Sequence, residues 1–336
     1  MHVYRTEHDD YGAIVATTMP TKTPRVMLVA HLDVVTASPA MFAMREKDGK
    51  IYGRGVYDMK CAIAGYMLAV DQLQNNLQDY DFGIMVTTDE EKRDLGVKTL
   101  IAEGYYPREA AVLLDGGYDW QVSKSAKGAW YANLAIHGKT GHGSRPWLVD
   151  STSLRMVKLL SEIEQLFPNA GPLTNTLNVN MLNASNPGEA YNQIPATTLA
   201  GLDIRLISNA ERVRIEREVN ALCEKYGANL ETVVTFDALE HDMEAPHMTS
   251  FLNNVEAQTG IKSDGVMSLA ASDANWFVER GLECMVTYPI GGGHHSEEEW
   301  IDAQALEDIT PILVGYLQEM ARAKNKALVE LKISAR

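Results

Sequence analysis

The chain has 336 residues, of which 46% are hydrophobic and 22% charged, and it carries a formal net charge of -15. That length suits two domains, each burying its own core, and the acidic balance excludes a nucleic-acid backbone or an anionic membrane as partner, because both are bound by basic surfaces. No run of about eighteen apolar residues occurs, and the opening "MHVYRTEHDDYG" lacks the basic start and apolar stretch of a secretory signal, so a cytoplasmic location is expected.

Three cysteines, Cys61, Cys223 and Cys284, stand far apart and in no CxxC pair. Neither a disulfide framework nor a thiolate zinc site follows, and reduced, buried thiols are expected.

In chain order, "RVMLVAHLDVV", "DFGIMVTTDEE" and "AAVLLDGG" share one form, an apolar run of strand length ending in acidic residues or histidine. Between the first two, "MKCAIAGYMLAVDQLQ" spaces its apolar residues as a helix does, so residues 1–125 read as strands alternating with helices. From about residue 126 the order becomes strand, helix, strand, strand, helix, strand, ending with "NLETVVTFDA", which is the order of a split βαβ, ferredoxin-like α+β unit. After about residue 240 the α/β character returns with a helix near "MTSFLNNVEAQTG", the strand "LECMVTYPI", the cluster "GGGHHSEEEW" and the helix "DAQALEDITPILVGYLQEMARA". The expectation is an α/β catalytic domain formed by 1–125 and 240–336, with a mostly parallel sheet flanked by helices and a second domain, 126–239, inserted in it. A loosely held tail is expected for the last dozen residues.

In open α/β sheets chemistry sits beyond the carboxyl ends of the strands, and here those ends carry His31, Asp33, Glu90, Glu91 and Asp115. "HLD" sets His31 and Asp33 on one face, since strand side chains alternate. A lone strand-end histidine is more often a packed residue than a ligand. Asp58 in "GRGVYDMK" reads equally as a turn residue, and Glu90, Glu91 and Asp115 equally as solvated loop starts. What favours chemistry is the set, which joins three apolar strand ends to two glycine-rich loops, the second holding His294 and His295.

That set resembles the di-zinc peptidase and aminoacylase family that includes glutamate carboxypeptidase, peptidase T, acetylornithine deacetylase and succinyl-diaminopimelate desuccinylase. The resemblance covers nearly the whole chain and rests on "HLDVV", "GRGVYDMK", "TTDEE", "LLDGG", "GHGSRP", "NQIP", "LDIR", "SDANWF" and "HHSEEEW", in family order. It implies a two-metal site in which Asp58 bridges both ions, His31 and Asp115 complete opposite sides, and Glu91 and a late histidine fill the coordination shell of the second metal. His295 fits that last role better than His294, which remains the alternative. Asp33 would hold a ligating imidazole in one tautomer, and Glu90 would be the general base, bound to no metal. A cis peptide between Asp58 and Met59 is implied as well.

Imidazole and carboxylate ligands without thiolates suit two Zn2+ per chain, with Co2+ or Mn2+ able to substitute. Such a pair acidifies a shared water and polarises a carbonyl, which amounts to amide hydrolysis. By the same resemblance the inserted domain is a lid and dimerisation domain. His142 and Asn192 would reach the oxyanion from a partner subunit, and Arg205 would grip a substrate carboxylate. Read alone, these three are a turn histidine, an Asx turn before proline and a strand-edge arginine. The three glycines at 291–293 would let backbone approach substrate.

The leading expectation is a homodimeric zinc exopeptidase acting on short peptides or their carboxy-terminal residue, because the aspartate of "LLDGG" resembles the peptidase branches. The alternatives are an N-acyl-amino-acid deacylase of the same family, or a non-catalytic metal- or peptide-binding relative. Compared with members of that family, the chain starts almost on the strand "YGAIVATTMP", and Cys61 stands where a glycine is common.

Overall fold

A computed structural model describes residues 1–8, 11–92, 95–185, 190–269 and 272–334. In chain order the principal elements are β1 (His2–His8), β2 (Tyr11–Thr17), β3 (Val26–His31), α1 (Lys60–Leu73), β4 (Phe82–Thr87), α2 (Gly96–Ala102) and β5 (Ala110–Leu113). There follow β6 (Gly128–His137), α3 (Thr152–Glu164), β7 (Thr176–Ser185), β8 (Thr197–Leu206), α4 (Asn209–Tyr226) and β9 (Ala228–Phe236), and then α5 (Pro246–Thr259), β10 (Glu283–Val286) and α6 (Ala303–Ser334). The chain is a mixed α/β protein of two compact units. One draws on Met1–Ser125, Glu240–Ser268 and the chain from Ser272 onward, and the other is built from Ala126–Leu239.

The first unit is organised by a six-stranded sheet in the order β1-β2-β4-β3-β5-β10. β3 runs parallel to β4 and β5, and β10 parallel to β5, whereas β1-β2 and β2-β4 are antiparallel. Every residue of β3 is buried, as expected of a strand covered on both faces. The period of two shows which residue meets which layer: Val26, Leu28 and Ala30 pack with Ala62, Tyr66, Phe251 and Tyr316 of α1, α5 and α6. Met27 and Val29 pack on the other side with Val97, Leu100 and Phe277. β1 was not anticipated. It lengthens the sheet edge as a hairpin with β2.

α6 continues to Ser334, so the backbone of the last dozen residues, expected as a tail, is helical as far as it is described; residues 335 and 336 lie outside the described residues. Among the described residues no helix is long and apolar enough to cross a membrane.

The second unit has the strand order β7-β8-β6-β9 with every neighbouring pair antiparallel. Leu134 and Ile136 of β6 and Leu202, Ile204 and Leu206 of β8 face α3 and α4, against Met156, Leu159, Ile215 and Val219. α4 starts on an N-cap serine, where the Ser208 hydroxyl accepts the Glu211 N–H, and it ends at Gly227 in the left-handed conformation. Because the even positions of β8 meet the helices, Asp203 and Arg205 point to the opposite face.

Candidate metal centre

Parallel register gathers the first set of side chains. His31 is the last residue of β3 and pairs with Thr87, the last of β4, so Asp33 and the Glu90–Glu91 pair leave neighbouring strand ends together. Asp115 follows β5 on the other side of β3, where Leu113 pairs with Val29. His31 Nε2 lies 3.2 Å from Asp58 Oδ1 and 3.9 Å from Glu90 Oε2. Its Nδ1 is 3.0 Å from the main-chain carbonyl of Asp33 and 3.6 Å from that residue's carboxylate. The imidazole tautomer is therefore set mainly by Asp33's backbone. The Asp33 carboxylate does another job, accepting the Glu91 N–H at 3.0 Å.

Asp58 sits in the loop "GRGVYDMK", at the end of which α1 begins, and the Asp58–Met59 peptide is cis as the resemblance implied. A residue to which the sequence assigns no role of its own organises this loop. Glu299, fully buried, accepts the main-chain N–H groups of Tyr57 at 3.0 Å and Asp58 at 3.1 Å through one oxygen. Its other oxygen pairs with the buried guanidinium of Arg54, which also donates to the Ser296 carbonyl. One carboxylate thus ties the Asp58 loop to the loop of His295. "GRG" and "EEEW" contained these two residues, but nothing local marks them as partners.

His295 adopts a positive φ of 59°. Its Nε2 is 3.2 Å from Asp58 Oδ2 and 3.1 Å from Glu91 Oε2. His294 turns elsewhere, with its exposed ring near Tyr57 and Tyr288 at centroid distances of 6.0 Å. The glycines before it serve packing in this structure. A Cβ on Gly291 would lie 2.3 Å from the Tyr57 ring, and one on Gly293, at φ +70°, 2.3 Å from the Glu298 carbonyl. Their small size lets the loop fold onto itself.

Tyr288, just beyond β10, is a second residue not anticipated. Its hydroxyl donates to Asp115 Oδ1 at 2.6 Å. Burial and the nearby Asp115 and Asp58 charges push its phenol far up, so it stays a donor. Cys61, at the first turn of α1, is buried and donates to the Tyr57 carbonyl at 3.2 Å; its role is packing.

The donor set fits a divalent cation. Ligand atoms of His31, Asp58 and Glu91 all lie within 4.8 Å of one another. His31 Nε2 and Asp115 Oδ2 are buried with no hydrogen-bond partner among the described residues, since the 3.2 Å approach of Asp58 to the imidazole is not aligned as a hydrogen bond. Leaving such groups unsatisfied costs about 1–3 kcal/mol each, and a bound cation that they ligate would remove that cost. The electrostatics agree. Burial alone would lower the His31 pKa, but the Asp58, Asp115 and Glu90 carboxylates raise it to about 10. His295 is raised to about 10 by Asp58 and Glu91 against a smaller effect of burial. Burial, then the Asp58 charge, lifts Asp115 to about 6, whereas burial of Asp58 is outweighed by the two imidazoles, which hold it well below the usual range. A site that attracts protons this strongly attracts cations for the same reason.

In the second unit, His142 and Asn192 are exposed and adjacent: the short strands Gly141–His142 and Gln193–Ile194 pair, and the Asn192 carbonyl accepts from Gly143 N–H. The His142 Nδ1 meets the Ser144 hydroxyl at 2.8 Å. Arg205 is not with them. It lies near the far end of β8, where Asp203 holds its Nε at 2.7 Å and the Tyr131 hydroxyl also meets it.

The family model for peptidase family M20/M25/M40 matches residues 27–319. This chain belongs to that family. As an M20 chain it is an amidohydrolase, and its family is one in which zinc dependence is typical. It is 28% identical over 324 residues to a succinyl-diaminopimelate desuccinylase of Rickettsia canadensis, covering 90% of this chain and 84% of the relative. It is also 28% identical to aminoacylase-1 of Sus scrofa, over 65% of this chain and 58% of that one. The M20 fold is shared with a tripeptidase from Staphylococcus aureus, at a TM-score of 0.76 and 16% identity, covering 95% of this chain and 89% of the other.

Proposed function

We propose that this M20 chain is a two-zinc exopeptidase of short peptides, with His31, Asp58, Glu91, Asp115 and His295 as ligands and Glu90 as general base. The observation that carries the reading is the meeting of both imidazoles on opposite oxygens of Asp58, at 3.2 Å each, since a carboxylate so shared suits a bridge between two cations. When bound, zinc supplies Lewis-acid polarisation of the scissile carbonyl and an acidified water. Glu90 accepts the water's proton as its oxygen adds to the carbonyl carbon, then delivers that proton to the nitrogen as the amide C–N bond breaks. Asp33 keeps His31 and Glu91 in place while this happens.

His142 and Asn192 are read as oxyanion donors supplied by a second copy of the chain, and Arg205 as the anchor of a substrate carboxylate. What supports this division is the length of β8. Its ten residues extend about 30 Å at ~3.3 Å per residue, and the two groups flank opposite ends, too far apart for one small substrate to touch both in a single chain. The three buried thiols fit a reducing cytoplasmic setting.

A second reading, an N-acyl-amino-acid deacylase, is favoured by the desuccinylase and aminoacylase relatives. Zinc-loaded protein assayed on dipeptides, tripeptides and N-acyl amino acids separates the two; turnover of N-acyl amino acids alone replaces the first reading with the second. Glu90→Gln should lower kcat by at least about 100-fold with zinc content per chain unchanged. Near-normal turnover would remove Glu90 from the mechanism.

A further inference from the structure

Among the groups around the metal centre that are not themselves ligands, Tyr288 is placed to constrain one oxygen of Asp115. Its main chain is locked by sheet register: Val286 of β10 pairs with Leu113 of β5, so Tyr288 comes out beside Asp115. Thr287 N–H donates to the Leu113 carbonyl at 3.1 Å, and the Tyr288 carbonyl accepts from Trp120 N–H at 2.8 Å. The ring, 8% exposed, stacks on Tyr57 with centroids 4.5 Å apart and planes at 22°. Its hydroxyl therefore has one place to point, and it takes Asp115 Oδ1 at 2.6 Å. The other oxygen, Oδ2, is buried without a hydrogen-bond partner.

We propose that Tyr288 is a positioning residue that commits Asp115 to one-oxygen coordination, presenting Oδ2 to the cation and withholding Oδ1. This rests on the two-zinc reading above. A carboxylate has two oxygens able to chelate one ion, and chelation would fill a coordination position that a substrate carbonyl or water must use. By occupying Oδ1, the phenol keeps that position open. A hydrogen bond to a ligating carboxylate also lowers its electron donation and leaves the ion a stronger Lewis acid.

The test is Tyr288→Phe, which keeps the stack on Tyr57 and removes only the hydroxyl, read with Co2+ in place of zinc. Binding stoichiometry is measured first. A wild-type chain that takes up no Co2+ overturns the two-metal reading and this inference together. With two ions bound in both proteins, Y288F should show visible d–d absorption per bound ion about twofold weaker, because one shell expands when Asp115 chelates. Its kcat should fall about tenfold with KM little changed. Tyr57→Phe, which removes the neighbouring phenol of the same stack, controls for general disturbance and should leave the spectrum unaltered. An unchanged spectrum in Y288F, or loss of one ion from it, overturns the denticity assignment while leaving the two-metal reading intact. Equal spectral changes in Y288F and Y57F overturn it as well.

Discussion

At the scale of single residues, the centre depends on side chains that touch no substrate. Glu299 is the clearest. It is buried, and its two oxygens serve three donors: Arg54, Tyr57 N–H and Asp58 N–H. Glu299→Gln keeps the shape but removes the charge, leaving the Arg54 guanidinium buried beside an amide. Breaking one side of a buried pair typically costs about 3–5 kcal/mol, so chemical denaturation of E299Q should show a loss of that order. Replacing both partners with apolar residues of similar volume should recover part of it, since desolvation then falls away on both sides. A single mutant as stable as the wild type would show that the pair holds nothing in place. The pair also marks the limit of what sequence discloses. His31, Glu90, Glu91 and Asp115 were legible because each follows an apolar run at a strand end. Glu299 and Tyr57 are 242 positions apart, and only the folded chain makes them neighbours. Tyr288 could have been found by the strand-end rule, because it follows the strand in "LECMVTYPI", but an aromatic residue there reads as core.

At the scale of elements, the packing of α1 against α6 is set by a missing side chain. A Cβ on Gly65 would lie 2.2 Å from Ile309 Cγ2 and 3.0 Å from Ile309 Cβ, so the isoleucine cannot swing clear by changing rotamer. Two effects oppose each other in Gly65→Ala: helix propensity favours alanine by about 1 kcal/mol, and overpacking costs about 1–3 kcal/mol. The contact involves a branched, buried side chain, so overpacking wins and the melting temperature should fall. Ile309→Ala alone opens a cavity costing about 2–5 kcal/mol. The double mutant should be no less stable than I309A, because the added methyl fills space that the isoleucine vacated. A double mutant whose loss is the plain sum of the singles would refute the contact. The strands and helices of both units were legible from periodicities of 2 and 3.6, which packing imposes on the residues themselves. β1 was not, since "HVYRTEH" at a sheet edge alternates weakly. The continuation of α6 was also missed, because "NKALVELKIS" has good helix formers but no cap to mark where it stops.

At the scale of the whole molecule, the chain carries -15 and gathers Asp33, Asp58, Glu90, Glu91 and Asp115 at one set of sheet ends, an arrangement that needs positive charge. Without metal, protons supply part of it. His31 and His295, raised from 6.5 to about 10, are protonated in the metal-free fold at pH 7. Their folded pKa lies above the unfolded one, so the stability they contribute is fully present below pH 6.5 and is lost as pH rises through about 10. His295 is half exposed and contributes the smaller share. Zinc requires both imidazoles neutral, so it must displace these protons. Asp115, raised to about 6, has lost most of its proton at pH 7 and releases little on binding. Zinc uptake at pH 7 should therefore release close to two protons per chain, and apparent affinity should climb from pH 6.5 towards 10. Calorimetric titration in two buffers of different ionisation enthalpy measures the release directly. Uptake of two ions with no proton released would overturn this account, because two protonated imidazoles cannot become ligands without giving up their protons.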